Sequence, residues 1–159
     1  MHAERLMPSK IAPAGYEAVR RVEEYIHTTA LPGSLIELVK TRASQINGCA
    51  FCLDMHTKDA RKNGETEQRL YLLNAWRESP VYTPAERAAL AWTEALTRVA
   101  KTHAPDADYE ALRAHFSDKD IVDLTILIGQ INVWNRLAIG MRYVHDVETH
   151  DARSGKAVA

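Results

Sequence analysis

Residues 46–56 read Ile46-Asn47-Gly48-Cys49-Ala50-Phe51-Cys52-Leu53-Asp54-Met55-His56, and this stretch decides the fold. Apolar residues recur at helical spacing before it and after it. Asn-Gly is a typical helix end, because glycine readily adopts the left-handed conformation that closes a helix. The stretch therefore predicts two helices joined by a short turn, the second beginning at the cysteines and ending near Lys62.

The remainder of the chain also has helical spacing, and glycine and proline are sparse, at 7 and 6. Thr83-Pro84-Ala85-Glu86 is a typical helix start, with Thr as N-cap, Pro at the first position and Glu at the third. Ser34, Thr66 and Ser117 are further N-cap candidates. The last helix has a broad apolar face, formed by Ile121, Leu124, Ile128, Ile131, Trp134 and Leu137.

These patterns predict an all-α fold, a compact single-domain bundle of about seven helices with no strand. The domain would span residues 1–159, with its core at about 14–147 and a mobile tail at 151–159. A chain of 159 residues is long enough for one sizeable core.

Composition argues against several classes of partner. The chain is 46% hydrophobic, and 20 basic residues balance 21 acidic ones, giving a net charge of -1. This balance favours neither nucleic acid nor a membrane surface. No segment approaches the roughly 18 apolar residues of a membrane span, and the first residues do not resemble a secretory signal. We therefore expect a cytoplasmic protein, in which a C-x-x-C is more often catalytic or metal-binding than structural.

Cys49 and Cys52 are the only cysteines, and their spacing indicates dithiol chemistry. On a helix that begins near Cys49, both cysteines and His56 fall within an arc of about 60°. The first turn of a helix favours a thiolate, which is the reacting form. His56 could take a proton from Cys52, one turn away. Glu37 on the preceding helix is the candidate that would orient the imidazole.

Other interpretations of these four residues stay open. Both cysteines, His56 and Glu37 could instead hold a metal, although a structural zinc usually takes a second ligand pair from a separate knuckle, which this sequence lacks. The thiols could also be inert and buried. Glu37 could simply complete a capping box with Ser34 at a helix start.

The pattern E-x11-C-x2-C-x3-H resembles the alkyl hydroperoxidase D-like branch of the carboxymuconolactone decarboxylase family. The segment from Leu38 to Thr57 looks like its signature, and residues 82–91 resemble the family's next helix start. The likeness spans roughly residues 14–147. It implies an all-helical homo-oligomer, a trimer or hexamer. It also implies that Cys52 attacks, that Cys49 resolves, and that Glu37 and His56 relay protons.

One position departs from the family. Its founding peroxidase-type members have a second histidine just before the second cysteine, where this chain has Phe51. The departure argues against the role of a lipoyl-coupled reductant of a peroxiredoxin and favours the broader group that shares the motif.

The predicted function is a thiol oxidoreductase that reduces a peroxide or a partner disulfide through a Cys49–Cys52 disulfide. It would need no metal or organic cofactor, only an electron donor such as a dithiol protein or a lipoyl group. Two alternatives remain. One is the decarboxylase branch of the same family, whose members generally lack the C-x-x-C. The other is a metal-binding oligomer without turnover.

Overall fold

The structure consists almost entirely of helices. Among residues 3–147, 149–151 and 156–158, which the computed structural model describes, there are nine α-helices. They are α1 (Pro8–Ile11), α2 (Pro13–Ile26), α3 (Gly33–Asn47), α4 (Ala50–Lys62), α5 (Glu67–Leu72), α6 (Pro84–Thr97), α7 (Val99–Thr102), α8 (Asp106–Arg113) and α9 (Asp118–Met141). One turn of 3-10 helix, Leu73–Ala75, follows α5.

Three predicted helix starts are confirmed by their hydrogen bonds. Thr83 and Glu86 form a complete capping box at the start of α6. At the start of α9, the Ser117 side chain accepts from the backbone N–H of Asp120, and the Asp120 carboxylate accepts from the backbone N–H of Ser117. The Thr66 side chain caps α5. These caps satisfy N–H groups that have no partner within the helix.

The predicted all-α bundle is confirmed, but some details of its elements differ. The prediction of about seven helices missed α1 and α7, each only four residues long. Ser34 is not an N-cap, because α3 begins at Gly33 after Pro32, and no side chain caps it. Two three-residue strands, β1 (Thr149–Asp151) and β2 (Lys156–Val158), were also not expected. They pair antiparallel, with Thr149 opposite Val158. Residues 152–155 and 159 of the expected mobile tail lie outside the described residues.

Helix α3 lies at the centre of the fold. Every residue from 35 to 44 is buried, and the helix packs against α4, α6 and α9. The sequence predicted only one apolar stripe, so the burial of the polar residues of α3 is a correction. The helix has no solvated face because neighbours cover it on several sides.

The main apolar core lies between α3, α6 and α9. It contains Leu35, Ile36 and Val39 from α3, Ala88, Ala89 and Trp92 from α6, and Ile121, Leu124, Leu127 and Ile128 from α9. The predicted apolar face of α9 is therefore buried over its first three turns. Further along, Trp134 is only half-buried and packs edge-on against Tyr16 of α2. No helix within the described ranges is long and apolar enough to cross a membrane.

Candidate functional site: a buried dithiol centre

The turn between α3 and α4 consists of only two residues, Gly48 and Cys49. Gly48 closes α3 in the left-handed conformation, with φ at 69°. The backbone N–H of Cys49 then donates to the Ser44 carbonyl at 3.0 Å. The Cys49 sulfur accepts from the backbone N–H of Cys52 at 3.4 Å and thereby caps α4. Gly48 ends the first helix and Cys49 begins the second, which places the Cys49 thiol at a helix N-terminus, as predicted.

The two thiols are adjacent and shielded from solvent. Their Sγ atoms lie 2.6 Å apart, and both cysteines are free. Cys49 is 1% exposed and Cys52 2%. Ala138 of α9 packs against both residues, with Phe51 and Tyr143 at the edge of the cluster. The predicted juxtaposition of the thiols is therefore present, and α9 closes over it.

The contact between the thiols shifts their pKa values in opposite directions. The hydrogen bond between the two sulfurs outweighs burial and lowers the pKa of Cys49 to about 7. The Cys52 backbone N–H and the Asn135 amide lower it further. The same contact raises the pKa of Cys52, and burial adds to the rise. The pair therefore carries its first negative charge on Cys49 and keeps its proton on Cys52.

His56 and Glu37 form a buried pair beside the thiols. His56 Nδ1 lies 2.9 Å from Glu37 Oε2, and the two residues are 6% and 7% exposed. Since a carboxylate only accepts, Nδ1 carries the hydrogen of this bond. The alternative of a Ser34–Glu37 capping box is wrong, because Pro32 is the N-cap of α3. Glu37 lies too far along the helix to cap it, and its carboxylate faces α4.

A row of charges extends from Glu37 away from the thiols. Lys40 is 2% exposed, and its Nζ lies 3.9 Å from Glu37 Oε1 and hydrogen-bonds Glu23 of α2. Glu23 also accepts from the indole N–H of Trp134 at 3.2 Å. Burial raises the pKa of Glu23, but the Lys40 charge and these hydrogen bonds outweigh it, so the pKa lies below its usual value. Each buried charge thus has an opposite partner.

Sequence reasoning missed this row. Lys40 could have been found, because it lies three residues after Glu37 and therefore on the same helix face. The contacts of Glu23 with Lys40 and with Trp134 gave no local signal, since they join residues 17 and 111 positions apart in the sequence.

Cys52, His56 and Glu37 line a cavity of about 450 Å³. Its apolar wall is formed by Tyr16, Phe51, Met55, Trp134, Ala138 and Tyr143. Its polar side includes Lys40, Glu23 and Asp59. A cavity of this size and mixed lining is typical of sites for small organic molecules.

Cys49 faces a different cavity, also of about 450 Å³. Phe51, Ala138 and Tyr143 line both cavities and so stand between them. The rings of Phe51 and Tyr143 meet edge-to-face at 5.3 Å. The residue that departs from the family pattern is thus part of an aromatic wall. Only Cys52 shares its cavity with the histidine.

The described part of the chain contains no group of three or more His, Cys, Asp or Glu side chains arranged to hold a metal ion. His56 instead uses one ring nitrogen for Glu37, and the two thiols contact each other.

The fold and the site define an all-helical protein with a buried C-x-x-C centre beside a histidine–glutamate pair. The chain belongs to the carboxymuconolactone decarboxylase family, which matches residues 13–95, and within it to the alkyl hydroperoxidase D-like branch. A relative in Bacillus subtilis, the uncharacterized protein YdfG, is 45% identical over 139 residues, or 87% of this chain and 95% of YdfG.

Solved structures agree with this assignment. A protein of unknown function from Agrobacterium tumefaciens, proposed to be the antioxidant defence protein AhpD, is 51% identical. It superposes with a TM-score of 0.89 over 92% of this chain and 100% of its own. The debrominase Bmp8 is 20% identical, with a TM-score of 0.76 over 84% of this chain and 72% of its own, and shows a shared fold alone. The fold therefore accommodates more than one chemistry, and the site must decide between them.

Proposed function

We propose that this protein is a thiol-dependent oxidoreductase that reduces a peroxide, or a partner disulfide, through a Cys49–Cys52 disulfide. The observation that carries the proposal is the combination of two thiols 2.6 Å apart at a helix start with a buried His56–Glu37 pair in the same cavity as Cys52. A dithiol that must cycle needs one thiol reachable by substrate, a second in reach of the first, and a group that moves protons.

Cys52 is the attacking thiol in this proposal. It shares a cavity with His56, and its raised pKa means that it keeps its proton until a base removes it. With Nδ1 bonded to Glu37, His56 has Nε2 left to accept that proton. The Cys52 thiolate then attacks one peroxide oxygen, the O–O bond breaks, and Cys52 becomes a sulfenic acid. The leaving alkoxide takes the proton back from His56 and departs as an alcohol.

Cys49 completes the oxidation as the resolving thiol. Its pKa of about 7 makes it substantially ionised at neutral pH, so it is ready to attack the Cys52 sulfur. The S–O bond breaks, a disulfide forms, and the departing hydroxide takes a proton from solvent, which balances the one that Cys49 released on ionising, and leaves as water. A dithiol donor then supplies two electrons and two protons, restores both thiols and is itself oxidised to a disulfide. If the substrate is a partner disulfide, Cys52 attacks its sulfur instead and Cys49 again resolves.

We place this cycle in the cytoplasm, where the donor pool keeps thiols reduced. The donor is a dithiol protein or a lipoyl group, and the protein works as a homo-oligomer. No metal or organic cofactor takes part in any of these steps.

Mass spectrometry of single-cysteine variants tests the proposal. Peroxide should convert the reduced protein to a form lighter by two hydrogens. Cys52→Ser should abolish peroxide consumption, whereas Cys49→Ser should yield a sulfenic acid that dimedone traps. The double variant is the matched control for uncatalysed loss of peroxide. Failure of the wild type to lose two hydrogens would contradict the dithiol mechanism, and trapping only in Cys52→Ser would reverse the two roles.

Metal analysis separates this function from the metal-binding alternative. Protein purified without added zinc should contain less than one metal ion per chain and should still react with peroxide. Stoichiometric metal that blocks alkylation of both thiols would favour a metal site instead.

A further inference from the structure

Lys40 is a buried cation beside the histidine–glutamate pair. It is 2% exposed, and its Nζ lies 3.9 Å from Glu37 Oε1 and donates a hydrogen bond to Glu23. Glu37 in turn lies 2.9 Å from His56 Nδ1. A buried ammonium needs only one carboxylate to balance its charge, and Glu23 already supplies it. The second contact, with the carboxylate that holds the imidazole, therefore calls for a separate explanation.

The charges of this row do not cancel while His56 is neutral. Glu23 and Glu37 contribute two negative charges and Lys40 one positive charge, which leaves a net charge of -1. A buried cluster with an excess of negative charge attracts a proton, because little solvent is present to screen it. The row is therefore short of a single proton, which is what Cys52 releases when it becomes a thiolate.

A proton taken from solvent would block the base wherever it settled in the Glu37–His56 hydrogen bond. If the ring takes it, the imidazolium carries a hydrogen on both nitrogens. If Glu37 takes it, the carboxyl donates to Nδ1, and the neutral ring then carries its hydrogen on Nε2. In both arrangements Nε2 can no longer accept from Cys52. His56 is a base only while this proton is absent.

The other charged groups around the cavity are exposed to solvent. The titratable residues that line it, besides this row and His56, are Tyr16, Arg20, His27, Cys52, Asp59 and Tyr143. The side chains of Arg20 and His27 are 52% and 59% exposed, and each pairs with a glutamate of α2. Asp59 is exposed as well. Solvent screens exposed charges, so Lys40 is the lysine or arginine of this lining whose charge acts at full strength.

We propose that Lys40 is a positioning residue whose buried charge keeps Nε2 of His56 without a hydrogen until Cys52 supplies one. Its part in turnover rests on the function proposed above. Lys40 offsets one of the two carboxylate charges and thereby weakens the attraction of the row for a proton from solvent. The negative charge that remains stabilises the imidazolium once His56 has accepted the proton of Cys52.

Nitrogen-15 NMR of histidine-labelled protein tests this role without any peroxide turnover. The Nε2 resonance differs strongly between a bare and a protonated nitrogen, and it is assigned by its absence in His56→Gln. The titration is carried out with both cysteines replaced by serine, so that ionisation of the thiols does not affect it. Lys40→Met should raise the pH at which half of Nε2 is protonated by about one unit, because the row loses its only positive charge.

Glu23→Gln predicts a shift of the opposite sign and protects the test against misfolding. Glutamine keeps the shape of the side chain and still accepts from Lys40, but one negative charge is lost. The Nε2 midpoint should fall by about half a unit, less than the opposite shift because the Glu23 side chain is 24% exposed. The double variant loses one charge of each sign and should lie between the two single variants. Circular dichroism and thermal unfolding establish that each variant compared is folded.

Arg20→Gln is the matched control. Arg20 lines the same cavity, so the substitution also removes one positive charge, but from an exposed side chain that pairs with Glu24. It should leave the Nε2 midpoint at the parental value. The proposal is overturned if folded Lys40→Met keeps the parental midpoint, or if Arg20→Gln shifts it equally. Should Lys40→Met fail to fold, an unchanged or raised midpoint in Glu23→Gln overturns it.

Peroxide consumption by protein with both cysteines gives a second, kinetic measure. The pH dependence of the rate should move with the Nε2 midpoint, so that Lys40→Met is up to tenfold slower than wild type below that midpoint. At high pH the two rates should converge, because Nε2 is then bare in both proteins. Absence of peroxide consumption by the wild type would count against the proposed function and leave the NMR result intact.

Discussion

At the scale of single residues, His56 and Glu37 form the part of the site whose chemical role can be separated from its structural one. The two side chains share one hydrogen bond of 2.9 Å between α4 and α3. Glu37 does not cap its helix, so a change there does not remove a helix start. This leaves orientation and charge as the two contributions of Glu37 to the imidazole.

His56→Ala should slow peroxide consumption near pH 7 by about 100-fold, within the range that a general base contributes. The loss should shrink as pH rises, because hydroxide then removes the proton from an increasing fraction of Cys52 thiols without help from a base. Glu37→Gln still accepts from Nδ1 but removes the charge that stabilises an imidazolium, so its rate should lie between those of His56→Ala and wild type. Stopped-flow measurement of peroxide loss across pH gives both profiles.

Asp59→Asn is the control for these variants. Asp59 lines the same cavity, so the substitution removes a carboxylate from it without touching the His56–Glu37 bond. Its rate should stay close to that of wild type. Identical profiles for wild type, His56→Ala and Glu37→Gln would mean that the thiols react without a base.

At the scale of elements, the buried charged side chains of α3 each pair with a residue on another helix. Arg42 is an example, because its Nη2 lies 2.7 Å from Oε1 of Glu94 in α6. Glu94 also accepts from Trp76 at 2.9 Å and from Arg77 at 2.6 Å. Burial raises the pKa of Glu94, but these hydrogen bonds and the Arg42 charge outweigh it, so its pKa lies below the usual value.

Glu94→Gln should lower the free energy of unfolding near neutral pH by about 3 kcal/mol, because Arg42 stays buried without its counter-charge. A carboxyl whose pKa is lowered by folding stabilises the folded state above its unfolded pKa of about 4.3, and that contribution disappears as pH falls through the folded value. The difference between variant and wild type should therefore shrink below about pH 4. Urea denaturation at several pH values measures it.

Glu24→Gln provides the comparison on the surface. Glu24 of α2 pairs with Arg20 at 2.5 Å, but both side chains are more than half exposed. Exposed pairs contribute little, so this variant should unfold like wild type at every pH. An equal loss of stability in both variants would contradict the importance of burial for the α3–α6 pair.

At the scale of the whole molecule, we predict a homo-oligomer, a trimer or hexamer, on the ground of family membership. Light scattering should give three or six times the chain mass of 17.9 kDa. Val122 and Val133 of α9 are 57% and 40% exposed and lie three turns apart on one face, where a neighbouring copy would cover them. A mass of 17.9 kDa in dilute solution would contradict the prediction.

The helical class, the turn at Asn47-Gly48 and the placement of both thiols at a helix start were all predictable from the sequence alone. These features depend on residues close together in the chain, whose conformational preferences act locally. The same local reasoning identified the starts of α5, α6 and α9. It failed for α1 and α7, because helices of a single turn have almost no periodicity to detect.

Which polar residues are buried, and what they contact, depends on the tertiary structure. In sequence, Lys40 and Ser44 look like part of a solvated helix face, yet both are buried in α3. Glu37 could equally have been a cap until the position of α4 placed His56 beside it. Ala138 belongs to the thiol site for the same reason, since α9 is distant in sequence and reaches the cysteines only through packing. Burial and long-range pairing depend on the whole fold, so no short stretch of sequence contains them.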